Sequence, residues 1–424
     1  MRPGLKTIFS NVRIFDGKSS ELSMPANVLV IGNVIGKITN QPIPVDSGDE
    51  VILIDGKGRT LMPGLIDAHC HLTFYDLPLI MAATADPNYL QIRQAAGAKN
   101  ILLSGFTSIR DMSGPVYGLK RAVDEGLVAG PRIWPSGPMI SQTSGHNDFR
   151  SLGHLPSSVV REPTPGVRFG YNYVADGVDA VLVGVREQLM QGASQIKLAV
   201  GGGVSSDHDP IDVSEYTKAE IEAAVVAAED WGTYVAVHGY TPRAIRRAIE
   251  AGVKSVEHGH LLDEPTIQMM AERGIWLSTQ PFLDDEDAIP TAPGSENERK
   301  YRQVAEGTGL IYTSAKKYGV KLAFGTDLQF NPKGAERQSK YLPKLVRWFQ
   351  PAETLRMATA ANAELLGLSG PRNPYPGNLG VVEEGALADL LLIDGDPLLN
   401  IKLLEDPGKN LAVVMKDGQI FKNT

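Results

Sequence analysis

This chain of 424 residues contains a single cysteine, so an internal disulfide framework is excluded. No uninterrupted apolar run approaches the roughly 18 residues that a membrane-spanning helix needs. Positive charge is not in surplus either. The 41 Lys and Arg against 49 Asp and Glu leave −8, which argues against a nucleic-acid-binding surface. The opening MRPGLKTIFSNVRIFDGKSS is broken by polar residues and lacks the apolar block of a secretory signal. What is present is ordinary: 42% apolar and 21% charged residues, as in globular proteins. The length suffices for one large α/β domain plus a smaller one. The expectation is a soluble cytoplasmic enzyme with no nucleic-acid or membrane partner.

The first 60 residues alternate in strand fashion between turn signals (TIFSNVRIFDG, ANVLVIGNVIGKITN, EVILIDGKGRTLMPG), and the last 50 behave alike. Neither set is large enough for a good core alone. Residues 1–62 and 369–424 are therefore expected to form one small composite β-sandwich. Between them, 63–368 alternates short apolar strands with helical segments. Eight strands are predicted: LIDAHCHL, GFTSIRDM, RIWPSG, QIKLAV, TYVAVHGY, KSVEHGH, IWLSTQP and KLAFGTD. Helix starts fall between them, with a capping box at Thr217–Glu220, a Thr241 cap before Pro242, and an acidic start in DEPTIQMMAERG. Eight such units predict a (β/α)8 TIM barrel as the catalytic domain. The GGGV at Gly201–Val204 lacks the spacing of a phosphate loop and reads as a permissive bend.

Five of the eight histidines lie at predicted strand ends, where this barrel carries its active-site groups. His69 and His71 are two apart, so they share a face, while Cys70 turns towards the helices. His238 closes the fifth strand, His258 the sixth, and Asp327 the eighth. One buried histidine is ordinarily a satisfied core residue. Four with an aspartate at one rim point to metal, since imidazole and carboxylate are Zn²⁺ ligands. Lys197 alternates with Ile196 and Leu198 and so faces the interior. Either a carboxylate pairs with it, or it snorkels outward, or its neutral amine takes up CO₂ and becomes a metal-bridging carbamate.

The order HxH, Lys, His, His, Asp along these strands resembles the amidohydrolase superfamily, over nearly the whole chain. LMPGLIDAHCHL is similar to its entry strand, GTD to its exit strand, and GALADLLLIDGDPL to its returning sandwich segment. The resemblance implies two divalent metal ions, usually zinc. His69, His71 and Asp327 would hold the more buried ion and His238 and His258 the other, with carboxylated Lys197 and a hydroxide between them. PSGPMISQTSGHNDF, IKLAVGGGVSS and VAVHGYTPRAI narrow it to the branch with prolidase-like dipeptidases, arginine-carboxypeptidase-like enzymes and ochratoxinase. In that branch His146 and Tyr240 would bind substrate. Glycine is expected where Asn147 stands, and often alanine at Gly239.

The implied reaction is attack of the hydroxide on an amide carbonyl. Asp327 moves the proton to the leaving nitrogen, His146 steadies the oxyanion, and Tyr240 holds the carboxylate of the departing amino acid. The substrate class is a small-molecule amide with a free carboxylate, a dipeptide or an N-acyl amino acid such as ochratoxin A. A cyclic-amide or deaminase-type amidohydrolase is the alternative, with Lys197 against the deaminases, and a metal-free scaffold is the other class. A homo-oligomer is expected. Of the remaining residues, His260 reads as site lining, and His154 and His208 as surface groups, the latter close enough to edge the pocket. Arg110 and Asp111 read as a structural pair, and FLDDEDAIP as a solvated loop.

Overall fold

The computed structural model describes residues 5–45, 48, 50–154, 164–335 and 337–424, so the first four residues of the opening segment lie outside it. All eight segments expected in the barrel form strands: Leu65–Cys70, Phe106–Asp111, Arg132–Pro135, Ile196–Ala199, Val235–Gly239, Ser255–His258, Trp276–Thr279 and Lys321–Phe324. All but the last are buried throughout, as parallel strands covered by helices must be.

Helix Lys218–Asp230 begins at the expected capping box, where Thr217 N donates to Glu220 Oε2 at 2.8 Å. Pro242–Glu250 begins at Thr241, but that hydroxyl makes no cap bond, and Pro242 sets the start instead. Asp263 does cap Glu264–Glu272, accepting from Thr266 N at 3.0 Å.

Neighbouring strands pair in parallel within two groups, the first three and the last five. Among the described residues the ladder does not close into a circle, although the parallel strands and helices are consistent with the expected (β/α)8 arrangement. At one gap the two-residue strand Ile140–Ser141 intervenes and pairs with Leu198, with Tyr173–Val174 beyond it. There Gln195 Nε2 reaches Trp134 O at 3.0 Å, and Ser194 N reaches Pro135 O at 2.8 Å. The other gap lies between the first strand and the eighth, which share no ladder among the described residues. Asn362 bridges that seam, its Nδ2 donating to Ile66 O and Phe324 O at 2.7 Å each. Asp67 adds to it by accepting from Thr326 N at 3.0 Å and Thr326 Oγ1 at 2.5 Å.

The strands from the two ends of the chain are linked by hydrogen bonds into one eight-stranded array. Lys6–Ile14 joins its halves. Its first part pairs with Ala26–Ile31 and Val51–Asp55, and its last two residues pair with Thr60–Pro63. A bulge between Phe9 and Val12, with Asn11 at φ 52°, lets the strand turn from one half to the other. Leu390–Ile393, Leu411–Lys416 and Gln419–Asn423 extend the second half. Both halves feed one apolar cluster that includes Phe9, Val28, Leu61, Leu392 and Val413. Buried Arg132 ties the third barrel strand to this sheet through Asp389 at 2.8 Å and Asp417 at 2.6 Å. No helix among the described residues is long and apolar enough to cross a membrane.

Candidate metal centre and active site

The C-terminal ends of the parallel strands and the turns just after them bring His69, His71, His238, His258 and Asp327 to one cavity, and Lys197 reaches it from within its strand. Asp327 and His258 sit at φ 52° and 75°, left-handed conformations that strain a non-glycine backbone and that gather at functional sites. The Asp327 turn is pinned to the first strand by Asp327 N donating to His69 O at 2.8 Å. Its Oδ1 lies 2.9 Å from His71 Nε2 and 3.4 Å from His69 Nε2, and Oδ2 lies 3.8 Å from His258 Nδ1. One donor atom each from His69, His258 and Asp327 falls within 4.8 Å of the others. On the opposite side the His238 ring stacks on His146, with centroids 4.0 Å apart. Tyr240 packs edge-on to His238 and stacks on His258, at 5.2 Å in both cases.

Burial holds His69, His238 and His258 well below the usual imidazole range, so each ring is neutral and keeps a lone pair. Burial alone would raise the Asp327 carboxyl, but His69, His71 and Lys197 together hold it below its ordinary value. The Lys197 amine is 1% exposed and forms no hydrogen bond among the described residues. Burial draws it down to about 8, against the opposing attraction of Glu257 and Asp327. His69 Nε2 and His71 Nδ1 are buried without a hydrogen-bond partner. Unpartnered imidazole nitrogens beside a carboxylate and a desolvated amine fit a divalent cation, which takes N and O donors of this kind.

Behind these residues lies a layer that the motif reading missed. Glu257 Oε2 accepts from His69 Nδ1 at 2.8 Å, which fixes the ring and leaves Nε2 facing Asp327. Glu257 is fully buried and held by Arg110 Nη2 at 2.8 Å and by Ser255 Oγ at 2.6 Å. The expected Arg110–Asp111 pair therefore does not exist, since Arg110 turns inward to Glu257 while Asp111 accepts from Leu72 N at 2.8 Å.

His146 has a similar support. Its Nδ1 lies 2.6 Å from Ser206 Oγ and 3.2 Å from Asp209 Oδ2, and its N donates to Glu215 Oε1 at 2.8 Å. Buried Lys300 clamps that loop by donating to Gly203 O, Ser206 O and Asp209 O at 2.8–3.0 Å. The GGGV segment is thus more than a bend, because a Cβ on Gly203 would lie 2.1 Å from the His146 ring. Asn147 has φ 85°, which is why glycine suits that position.

Other readings change with the coordinates. His260 stacks behind on Phe282 at 5.2 Å and bonds Gln280 O at 2.9 Å, so it neither walls the cavity nor joins the donor cluster. His208 and His154 are exposed, and His208 does not edge the cavity. Cys70 packs with Ile101 and Leu102 against the helices, as the alternation implied. The acidic loop after the seventh strand is tied down rather than free. Asp285 and Asp287 each pair with Lys344 at 2.8 Å, and Asp287 also pairs with Arg337.

A parallel α/β scaffold carrying histidines and an aspartate on its strand ends defines a class of hydrolase, and the comparisons with known proteins give the family. The chain belongs to the amidohydrolase family, whose model matches residues 60–421. It is 33% identical over 375 residues to an ochratoxinase of Aspergillus niger, covering 85% of this chain and 75% of that protein. A crystal structure of an amidohydrolase superposes with a TM-score of 0.89 at 36% identity, covering 99% of each chain. A prolidase complexed with N-methylphosphonate-L-proline superposes with a TM-score of 0.90 at 34% identity, covering 99% of this chain and 100% of the other.

Proposed function

We propose that this hydrolase cleaves an amide bond to release a C-terminal amino acid, from a dipeptide or an N-acyl amino acid, on a (β/α)8 barrel closed through side chains. The observation that carries the reading is the convergence of His69 Nε2, buried without a hydrogen-bond partner, and His71 Nε2 on Asp327 Oδ1, at 3.4 and 2.9 Å, in one cavity with the desolvated Lys197. The similarity to a prolidase and an ochratoxinase supports the substrate class. His69, His71 and Asp327 would hold one zinc ion, His238 and His258 the second, and carboxylated Lys197 would serve both. When bound, such ions make water a nucleophile near neutral pH and polarise a carbonyl oxygen.

The chain's own groups do the rest. Asp327, ionised at neutral pH, accepts the proton of the attacking water and returns it to the leaving nitrogen. His146, oriented through Nδ1 by Ser206 and Asp209, donates to the oxyanion. Burial keeps the Tyr240 hydroxyl well above its usual pKa, so it stays a donor for the carboxylate of the departing amino acid. Phe74, Phe149 and Val204 help to keep bulk water from the cavity.

The test is a panel of dipeptides, N-acyl amino acids and cyclic amides incubated with zinc-supplied protein. Free amino acid released from the first two is the expected result. Ring opening or ammonia release without a free amino acid overturns the reading in favour of a cyclic-amide or deaminase-type enzyme.

A further inference from the structure

Lys300 lies on the helix Glu296–Tyr318, which follows the seventh barrel strand, and is 1% exposed. A lysine is almost never buried this completely unless it is paired. Its Nζ donates to the carbonyls of Gly203, Ser206 and Asp209 at 3.0, 3.0 and 2.8 Å. An ammonium has three hydrogens, so all of them are spent on the one loop that follows the fourth strand. That loop wraps its carbonyls round a cation, and the chain supplies the cation itself.

Asp209 closes the same loop. Its Oδ2 accepts from Gly203 N at 2.7 Å and from Ser206 Oγ at 2.6 Å, and lies 3.2 Å from His146 Nδ1. Its Oδ1 has no hydrogen-bond partner among the described residues and lies 3.6 Å from Lys300 Nζ. Burial alone would raise the Asp209 carboxyl, but His146, Ser206 and Lys300 together hold it below its ordinary value. A buried carboxylate that loses its cation loses much of what keeps it ionised and in place. The loop has no slack to absorb such a change. A Cβ on Gly202 would lie 2.1 Å from Pro210 O, and one on Gly203 would lie 2.1 Å from His146 Nδ1. Movement of the loop therefore reaches the His146 ring.

The same helix supports the other substrate-binding candidate by a different route. Tyr301 and Val304 pack in an apolar cluster with Val204 and Tyr240. One helix thus backs Tyr240 by packing and His146 by charge. We propose that Lys300 is a positioning residue of the hydrolase, a tethered cation that acts on the reaction through Asp209 and His146. This rests on the amide-hydrolase reading, in which His146 meets the oxyanion and Tyr240 the carboxylate of the departing amino acid.

The test uses zinc-supplied full-length protein and the amide that it cleaves fastest. Lys300→Met keeps an unbranched side chain and removes the charge. Its kcat should fall by about 10- to 100-fold, the scale for a catalytic group displaced by about 1 Å. KM should stay within about threefold of the parent, with bound metal retained. On a His146→Ala background the same change should cost less than about twofold, because its route is already cut. Where Lys300→Met does not fold, Asp209→Asn keeps the shape of the carboxylate and must show the same loss and the same silence on that background. Val304→Ala, as fully buried and one turn further along, is the control for lost packing, and should raise KM more than it lowers kcat.

A folded Lys300→Met protein with kcat within about threefold of the parent overturns the proposal. So does an undiminished loss on the His146→Ala background, or an equal fall in kcat from Val304→Ala. The amide-hydrolase reading survives each of these. A parent protein that releases no amino acid from any amide overturns that reading and the proposal with it.

Discussion

In the terminal sheet the buried side chains are Phe9, Val28, Leu61, Leu392, Val413 and their like, packed into one apolar cluster. At the barrel rim the buried side chains are imidazoles, carboxylates and an amine, several without partners. Among the described residues, no strand of the terminal sheet contributes to the buried polar atoms that lack a hydrogen bond, whereas His69 and His71 both do. Burying such groups costs stability, and folding gives no return for it. The apolar region is explained by packing alone. The rim is not explained by packing, and the proposed metal centre would account for it.

Substitutions can break this contrast or sharpen it. Asp327→Asn keeps the shape and removes the base, so kcat should fall by about 10²- to 10⁴-fold while bound metal, measured by emission spectroscopy, is largely retained. Activity within about tenfold of the parent would remove Asp327 from the proton transfer. Glu257→Gln should weaken metal affinity by about 10- to 100-fold through the loosened His69 ring. It also leaves Arg110 without its charge partner, at a cost of about 3–5 kcal/mol in denaturant titration.

Leu392→Ala, in the terminal cluster, should lower unfolding stability by about 2–5 kcal/mol with kcat/KM unchanged. A variant there that lost catalysis in proportion would dissolve the distinction between the two regions. Lys197 gives a pH signature in metal-free protein. It is drawn to about 8 in the folded state, against 10.5 for the free side chain. Below pH 8 both states hold the proton. Between about 8 and 10.5 only the unfolded chain does, so stability should rise with pH by roughly 3 kcal/mol relative to Lys197→Met. A parallel course in both proteins would show that the amine is not desolvated. The smallest effect belongs to exposed His208, whose change to Ala should move stability by no more than about 0.5 kcal/mol and leave turnover alone.

Residue spacing singled out His69, His71, His238, His258, Lys197 and Asp327, each polar against an apolar strand, and the structure gathers all six at one cavity. Glu257 was hidden by the same logic. Strict alternation sends Glu257 outward wherever His258 faces inward, but the left-handed backbone at His258 breaks the pleat and both side chains point into the barrel. Arg110 was misassigned because its partner is 147 residues away, beyond any local pattern. The eight strands were visible as apolar runs. The two gaps in their ladder were not, since one holds the inserted Ile140–Ser141 pair and the other is bridged by side chains, Asn362 and Asp67, whose partners are far away in sequence.

One of those gaps has a consequence for the chemistry. Where Asn362 stands in for rungs of the ladder, the run of strands is spliced, and the candidate donor groups flank the splice: His69 and His71 on one side, Asp327 on the other. A carboxamide on a rotatable stem yields more readily than a run of peptide planes. The spacing between carboxylate and imidazoles thus rests in part on a side chain that does not line the cavity, so Asn362→Ala is expected to disturb the site from outside it.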